Sequence, residues 1–515
     1  MLANRIWFLL STSLWLSCGH MAGVKKTNAL PPQLFAKNQA VKPKPSEFRL
    51  GQLAQSELKA LLAGLHAESK APGVGVGIVF GRQVVWTGVF GYAELENKTP
   101  MTADSVTRIG SLSKVFTGLA ILSLRDQGRL DLDMPVAKVV PELAQVIYPS
   151  KDSPRITFRH LLTHTSGLPR LGDLDYYSKP DKPITVADLA DVLKGAKLRF
   201  SPGTDRLYSN LAMGVASVAV DRLAGTPLRD FLKVNLFKQL NMTRSTFDPK
   251  AARALGLATG YAASPTGPKP APPWAFGVVE GLGGMYSTLN DMTRFLAWQT
   301  NAWPARNTPD TGFISRSTLR TSQASLGGGG KDTVGANWYV GQHRRFGPKV
   351  SHTGATQTYS AHMTAFPQAG IAVVTLANMG LDPNGAASPV VVRLADQAIE
   401  WLEKTIPQPA LTLSKGLEHA VSVFKSTYAQ PTEAAIISAF HKTFLASLPA
   451  PKIIAMFTGM KSQLGVCRMT PKKVMSATQA VFTYACAKTN LDVMLVIEPT
   501  EPHQIIGLSI KPASP

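Results

Sequence analysis

A serine and a lysine three residues apart on a helix share one face, so a hydroxyl and an amine can meet there. If the serine opens the helix, backbone N–H groups at the helix tip favour the negative charge that develops when the hydroxyl attacks a carbonyl. A lysine ammonium is no base, but burial and a nearby cation lower its pKa, and the neutral amine takes the serine proton. The sequence holds three such pairs: Ser56–Lys59, Ser111–Lys114 and Ser422–Lys425. Ser56 and Ser422 fall inside amphipathic patterns and read as surface helix positions. Ser111 follows Thr107-Arg-Ile-Gly110 and precedes Val115, Phe116, Leu119 and Leu122, so it stands where a buried helix begins. That copy is the candidate nucleophile, with Lys114 as its base.

Two further groups suit the same chemistry. Of the eleven tyrosines, only Tyr208 is followed two positions on by Asn, in Tyr208-Ser209-Asn210. A phenol beside cations relays protons, and the Asn210 amide suits a substrate amide; the alternative is a buried loop tyrosine with a capping asparagine. His352-Thr353-Gly354, followed by Ala355, reads as the start of a strand. Gly354 admits a substrate close to the backbone, His352 and Thr353 offer donors to a carboxylate, and the next strand N–H can face an oxyanion. A lone histidine at a strand start is otherwise structural. His160 and His164 stand four apart, a metal-ligand spacing on a helix. The zinc-protease form needs Glu directly after the first His, and Leu161 stands there. No metal site and no organic cofactor are expected.

These residues come from remote stretches, so the fold must gather them. Gly73–Phe80 and Gln83–Gly91 are apolar, β-branched runs around Gly81-Arg82 and read as a hairpin. An amphipathic helix is expected from Leu50 to about Lys70, and another from Ser388 to Lys404. The helix from Ser111 ends at Gln127-Gly128, where glycine caps it. The stretch from about 130 to 300 reads as short helices and loops, with an exposed Pro-rich loop at Ser264–Pro273. Strand-like runs return at Ala336–Gln342, His352–Phe366 and Ile371–Asn378. Strands at both ends with a helical middle imply an α+β layered fold: a sheet closed by distant pieces of chain and interrupted by an all-helical insertion. After Pro407-Gln-Pro409 the pattern changes, with helices over Glu418–Tyr428 and Glu433–Leu448 and strands near Gly465–Met469, Ala480–Ala487, Asp492–Glu498 and Gln504–Lys511. That reads as a separate small α+β domain.

Composition narrows the class. Apolar residues make up 44% and charged residues 17%, enough for a sizeable core and unlike a disordered chain. Lys and Arg total 54 against 33 acidic residues, a net charge of +21 that raises nucleic-acid binding. The cations are scattered, with no long basic run, so a solvated basic surface or attraction to anionic wall polymers or lipid headgroups is expected instead. At the N-terminus a positive start, Met1–Arg5, precedes an apolar run, Ile6–Leu16, and small residues from Ser17 to Gly19. This is a signal-peptide layout, too short to span a bilayer. Trp15-Leu-Ser-Cys18 loosely resembles a lipoprotein box, so lipidation at Cys18 is an alternative to plain cleavage. Export to the periplasm or beyond follows, with a tether over 23–48. Cys467 and Cys486 then remain, either paired across a hairpin in an oxidising compartment or as two buried thiols.

In order, Ser111-x-x-Lys114, Tyr208-x-Asn210 and His352-Thr353-Gly354 resemble the serine penicillin-recognising family of class C β-lactamases, soluble DD-peptidases and related esterases. Ile156-Thr157 leading to Leu161-Leu-Thr-His-Thr-Ser-Gly-Leu168, Gly283-Gly284-Met-Tyr-Ser287 with Asp291, and Asn378 extend the likeness from about residue 50 to 405. The resemblance implies a hydrolase domain over 49–406 in which Ser111 is acylated and Lys114 and Tyr208 exchange its proton. It implies that Asn210 holds the substrate amide, the N–H groups of Ser111 and Ala355 stabilise the oxyanion, and His352, Thr353 and Gly354 meet the carboxylate end of the substrate. His352 stands where most β-lactamases have Lys, which tilts the reading toward a DD-carboxypeptidase or endopeptidase acting on peptidoglycan peptides. β-Lactamase and broad esterase or D-aminopeptidase activity are alternatives, and a non-catalytic wall-binding protein is a rival from another class. Residues 410–515 are loosely similar to cone-shaped modules of the nuclear-transport-factor type, which implies no activity.

Overall fold

The computed structural model describes residues 51–171, 182–272, 274–304, 312–327, 333–381, 389–406, 413–465, 467–476, 478–498 and 501–513. The export segment at 1–22, Cys18, the tether at 23–48 and Pro407-Gln-Pro409 lie outside them. Two compact units divide the rest, one within Lys44–Ile406 and one within Pro407–Pro515. No described helix is long and apolar enough to cross a membrane.

In the larger unit the strands are β1 (Gly73–Phe80), β2 (Gln83–Glu94), β3 (Thr99–Pro100), β4 (Thr107–Arg108), β5 (Tyr261–Ala262), β6 (Lys269–Pro270), β7 (Tyr286–Ser287), β8 (Thr333–Val334), β9 (Tyr339–His343), β10 (Gly347–Ala355), β11 (Ser360–Phe366) and β12 (Ile371–Ala377). Eight of them form one antiparallel sheet in the order β3-β2-β1-β12-β11-β10-β9-β8. Sheet closure by distant pieces of chain is the β1–β12 pairing, with Val74 opposite Ala377. The β1–β2 turn has positive φ at both Gly81 and Arg82, the geometry that matches strand twist in a two-residue hairpin.

Alternation then sorts the layers. Val74, Val76, Ile78, Phe366, Ile371 and Val373 pack with helices Gln52–Ser69 and Pro389–Thr405 on one face. Val350, Ala361, Met363, Ala372 and Val374 face the helical insertion instead. That insertion is built around helix Ser113–Asp126, in which every residue from Ser113 to Leu124 is buried, and helix Asn210–Ala224. Gly128, at φ 72, follows the first of these and donates to the Arg125 carbonyl, as a helix-ending glycine should.

Two expectations need correction. The run His352–Phe366 is two strands, because Thr356 to Tyr359 form a tight turn closed by the Thr356 N–H on the Tyr359 carbonyl at 2.8 Å. As a result His352-Thr353-Gly354 lies toward the end of β10 and not at a strand start. His160 and His164 do not share a helix face either. Helix Phe158–Leu162 stops first, and His164 has φ 58.

The smaller unit carries a four-stranded antiparallel sheet, β13 (Cys467–Ser476), β14 (Gln479–Cys486), β15 (Asn490–Ile497) and β16 (Ile505–Pro512), in sequence order. Helix Lys415–Ala429 matches its pattern. The expected Glu433–Leu448 helix is two, Glu433–Ala439 and Lys442–Ser447, because the Phe440–His441 backbone leaves to pair with Ile505. A further helix, Ala450–Leu464, was not anticipated; Ile453 and Phe457 bury one face of it. Cys467 and Cys486 are direct cross-strand partners and form a disulfide.

That bond closes a loop of 19 residues in sequence separation, which should hold the β13–β14 pair by about 3 kcal/mol. Replacing both cysteines by serine is therefore expected to speed hydrogen exchange in β13 and β14 of the intact chain. Exchange in β1 and β12 should stay unchanged.

Candidate active site

The nucleophile turn is set by the backbone. β4 pairs with β7, and the Ile109 N–H donates to the Met285 carbonyl at 3.0 Å. The chain then turns through Gly110 at φ 54 into a short 3-10 turn, Gly110–Leu112, before helix Ser113–Asp126 begins. The Ser113 hydroxyl fastens this turn by donating to the Gly110 carbonyl and accepting from the Met285 N–H. Ser111 is left half-buried at the entrance to the helix.

One turn on, Lys114 has no exposed surface. Its Nζ lies 2.9 Å from the Ser111 Oγ and also donates to the Leu282 carbonyl. Burial holds the amine well below the ordinary lysine range, and the Arg170 guanidinium lowers it further. A neutral Nζ can keep one N–H on Leu282 while its lone pair accepts the Ser111 proton. Asn337 donates to the Lys114 carbonyl at 3.1 Å and secures the helix from outside.

Tyr208 arrives on an extended segment just before helix Asn210–Ala224. Ser209 is the cap, accepting from the Ala212 N–H at 2.9 Å and donating to the Pro169 carbonyl at 2.8 Å. Asn210, the first helical residue, is pinned by its N–H on the Arg170 carbonyl at 2.7 Å. Lys114 Nζ is 5.0 Å from the Tyr208 ring centre and the Arg170 guanidinium 5.8 Å. The Lys114 amine and the Arg170 guanidinium therefore both lie beside the phenol ring.

The third element is an open strand edge. β9 pairs with β10 only from Gly347 to Ser351, so His352 to Ala355 have β11 on one side and the nucleophile turn on the other. Antiparallel alternation, fixed by the Thr356–Tyr359 bond, turns the backbone groups of His352 and Gly354 toward β11 and those of Thr353 and Ala355 toward the open edge. A Cβ on Gly110 would meet the Ala355 nitrogen at 2.7 Å, and one on Gly354 would meet the Ile109 carbonyl at 2.0 Å. The close neighbour that Gly354 admits is thus the protein's own nucleophile turn, where sequence reasoning had placed a substrate. The Ala355 N–H and Ser111 consequently face the same space.

His352 is buried, with Nδ1 2.8 Å from the Thr353 carbonyl. Only a protonated Nδ1 can donate to a carbonyl, and burial together with Lys114 pushes the ring pKa down to about 3. Neutral His352 therefore presents a lone pair at Nε2, near the Tyr208 and Tyr339 rings at 6.3 and 5.6 Å between ring centres. Thr353 points to the opposite face, where its Oγ1 is 2.7 Å from His362 Nδ1. When that nitrogen carries the hydrogen, the Thr353 hydroxyl keeps its own proton for a ligand. His362 is also held neutral, its pKa pushed down to about 4 by burial and Lys349.

Sequence reasoning brought Ser111, Lys114, Tyr208, Asn210, His352, Gly354 and Ala355 to one place and missed the cations beside them. Arg170 overhangs Tyr208, and the Arg206 guanidinium lies 5.5 Å from the Tyr339 ring centre. His164, read as a structural residue, lies tilted against Tyr208 with 4.5 Å between ring centres. No group of His, Cys, Asp or Glu among the described residues could hold a metal ion. His160 spends its Nδ1 accepting the Thr157 N–H in a capping box.

Comparisons with known proteins point the same way. The Beta-lactamase family model matches residues 58–397. Beta-lactamase-like protein 2 of Dictyostelium discoideum is 30% identical over 239 residues, 44% of this chain and 42% of that protein, so the match spans less than half of its length. The D-alanyl-D-alanine-carboxypeptidase/endopeptidase AmpH of Escherichia coli K12 is 28% identical over 318 residues, 59% of this chain and 78% of that one. The crystal structure of a β-lactamase/D-alanine carboxypeptidase from Pseudomonas syringae shares the fold at a TM-score of 0.56 and 21% identity, covering 69% of this chain and all of that one.

Two outcomes test the geometry. The rate of acylation should rise with pH through the depressed Lys114 pKa and level off well below 10.5, since only the neutral amine accepts the proton; a rise continuing to that value would argue against it. Gly354→Ala, which drives a methyl into the Ile109 carbonyl, should slow acylation and cost about 1–3 kcal/mol in stability, read by a thermal melt.

Proposed function

Because the chain belongs to the Beta-lactamase family and is a serine hydrolase of it, we propose that it acts through an acyl-enzyme on peptides ending in D-Ala-D-Ala. The observation that carries this reading is the fully buried Lys114 amine at 2.9 Å from the Ser111 hydroxyl. Ser111 Oγ attacks the penultimate carbonyl as its proton passes to Lys114. The tetrahedral oxygen lies against the Ala355 and Ser111 N–H groups. The C–N bond then breaks, and the leaving amine takes its proton through Lys114 and Tyr208. Water repeats the sequence in reverse roles and frees Ser111. Asn210 orients the substrate amide, while Arg170 and Arg206 supply positive charge for the terminal carboxylate. Neutral His352 accepts a hydrogen bond in this scheme.

Such a substrate lies outside the cytoplasm. The export layout of Met1–Cys18 and the Cys467–Cys486 bond support that location.

Covalent labelling with a fluorescent penicillin, followed by mass mapping, tests the chemistry: label is expected on the Ser111 peptide and none in Ser111→Ala. Amine release from a D-Ala-D-Ala peptide should exceed turnover of a cephalosporin and of a short-chain ester. A faster cephalosporin or ester would replace the peptidase assignment, and label elsewhere would end the mechanism. Tyr208→Phe should slow acylation by about 10²- to 10⁴-fold with an unchanged melt. Near-wild-type acylation in that variant would remove Tyr208 from the relay.

A further inference from the structure

We propose that His164 is a positioning residue that clamps Tyr208 in its working orientation beside Lys114, a role that rests on the acyl-enzyme reading above. His164 grips three consecutive residues. Its carbonyl accepts the Leu207 N–H at 3.0 Å, its Nδ1 accepts the Ser209 N–H at 3.2 Å, and its ring lies against the Tyr208 ring between them. None of these contacts engages the phenol oxygen.

The grip depends on the neutral ring. Nδ1 accepts, so the ring hydrogen is on Nε2, and an imidazolium would have to surrender the Ser209 bond. The surroundings oppose that charge: His164 is buried, and Lys114, His352 and Arg206 all face it. Its left-handed backbone, φ 58, aims the ring away from helix Phe158–Leu162 and across to the Tyr208 segment. Thr165 N–H, on the His160 carbonyl at 2.9 Å, holds the turn that sets this direction. Without the ring, the segment keeps the Leu207 N–H bond, the Ser209 cap and the Asn210 N–H bond but loses the acceptor for the Ser209 N–H and the ring surface against Tyr208. A shift of the phenol by about 1 Å is enough to cost about 10²-fold in rate.

Two variants separate the parts of the clamp. His164→Phe keeps a ring and loses the acceptor. His164→Asn keeps an acceptor and tolerates positive φ, but loses the ring. In each, the rate of Ser111 acylation by fluorescent penicillin should fall about 10- to 100-fold. The pH dependence of acylation should shift, and half-saturation by penicillin should change far less than the limiting rate. Combined with Tyr208→Phe, either change should add little, since there is no phenol left to place. A purely structural His164 would lower the melting temperature and leave acylation by the folded protein, and its pH profile, untouched. That result, or an undiminished His164 effect in the Tyr208→Phe background, overturns the proposal. If wild-type protein acylates at Ser111, such a failure concerns His164 alone; if it does not acylate, both readings fall together.

Discussion

Lys114 is an amine with no exposed surface and with no carboxylate among the groups that shift its titration. An ammonium so placed costs several kcal/mol, more than one carbonyl acceptor returns, so the fold favours the neutral base. The sequence meets this constraint by surrounding the amine with rigid parts. Helix Ser113–Asp126 is buried along nearly all its length, the Leu282 carbonyl takes one N–H, and Asn337 ties the helix backbone to the loop before β9. A lysine on a surface helix, such as Lys59 or Lys425, has the same spacing to serine and none of this cost. Burial, not spacing, makes the difference.

The nucleophile turn and the open edge of β10 depend on each other through contacts that exclude side chains. Gly110 and Gly354 each present a bare Cα to the other segment's backbone. Their effect is to bring the Ser111 turn against a strand whose outer N–H and C=O groups are unclaimed by β9. The sheet provides stiffness at this place because β10 is paired with β11 from Val350 through Ala355. An oxyanion site made of backbone groups cannot adjust by rotating a side chain, so its geometry is as fixed as the sheet that bears it.

Much of this was legible in the sequence because periodicity and turn chemistry are local. The Gly81-Arg82 hairpin, the helix realised as Pro389–Thr405 and the Ser111 helix follow from patterns within one element. The pairing of Cys467 with Cys486 depends only on hairpin register. The split between β10 and β11 was not legible, since Thr356-Gln-Thr-Tyr359 carries no Gly or Pro and its threonines and tyrosine are residues that favour strands. Helix Ala450–Leu464 begins behind Pro449-Ala-Pro451, which reads as a loop although a proline in the first turn costs a helix nothing. The role of His164 was hidden for a different reason: its partners, Leu207 to Ser209, are more than forty residues away, and nothing in a His-Thr-Ser-Gly segment announces them.

The two imidazoles of the site carry their hydrogens on opposite nitrogens, as assigned from their partners. His352 donates from Nδ1 to the Thr353 carbonyl and keeps a lone pair at Nε2. His164 accepts at Nδ1 from the Ser209 N–H and keeps its hydrogen at Nε2. Backbone groups impose both tautomers, and both rings flank Tyr208. Each ring is kept neutral by burial: charging His164 would also break its bond from the Ser209 N–H, whereas a charged His352 would keep its Thr353 bond and is opposed by desolvation beside Lys114. Near neutral pH the histidines therefore act as fixed polar walls. In the proposed scheme the moving proton is therefore carried by Ser111, Lys114 and Tyr208.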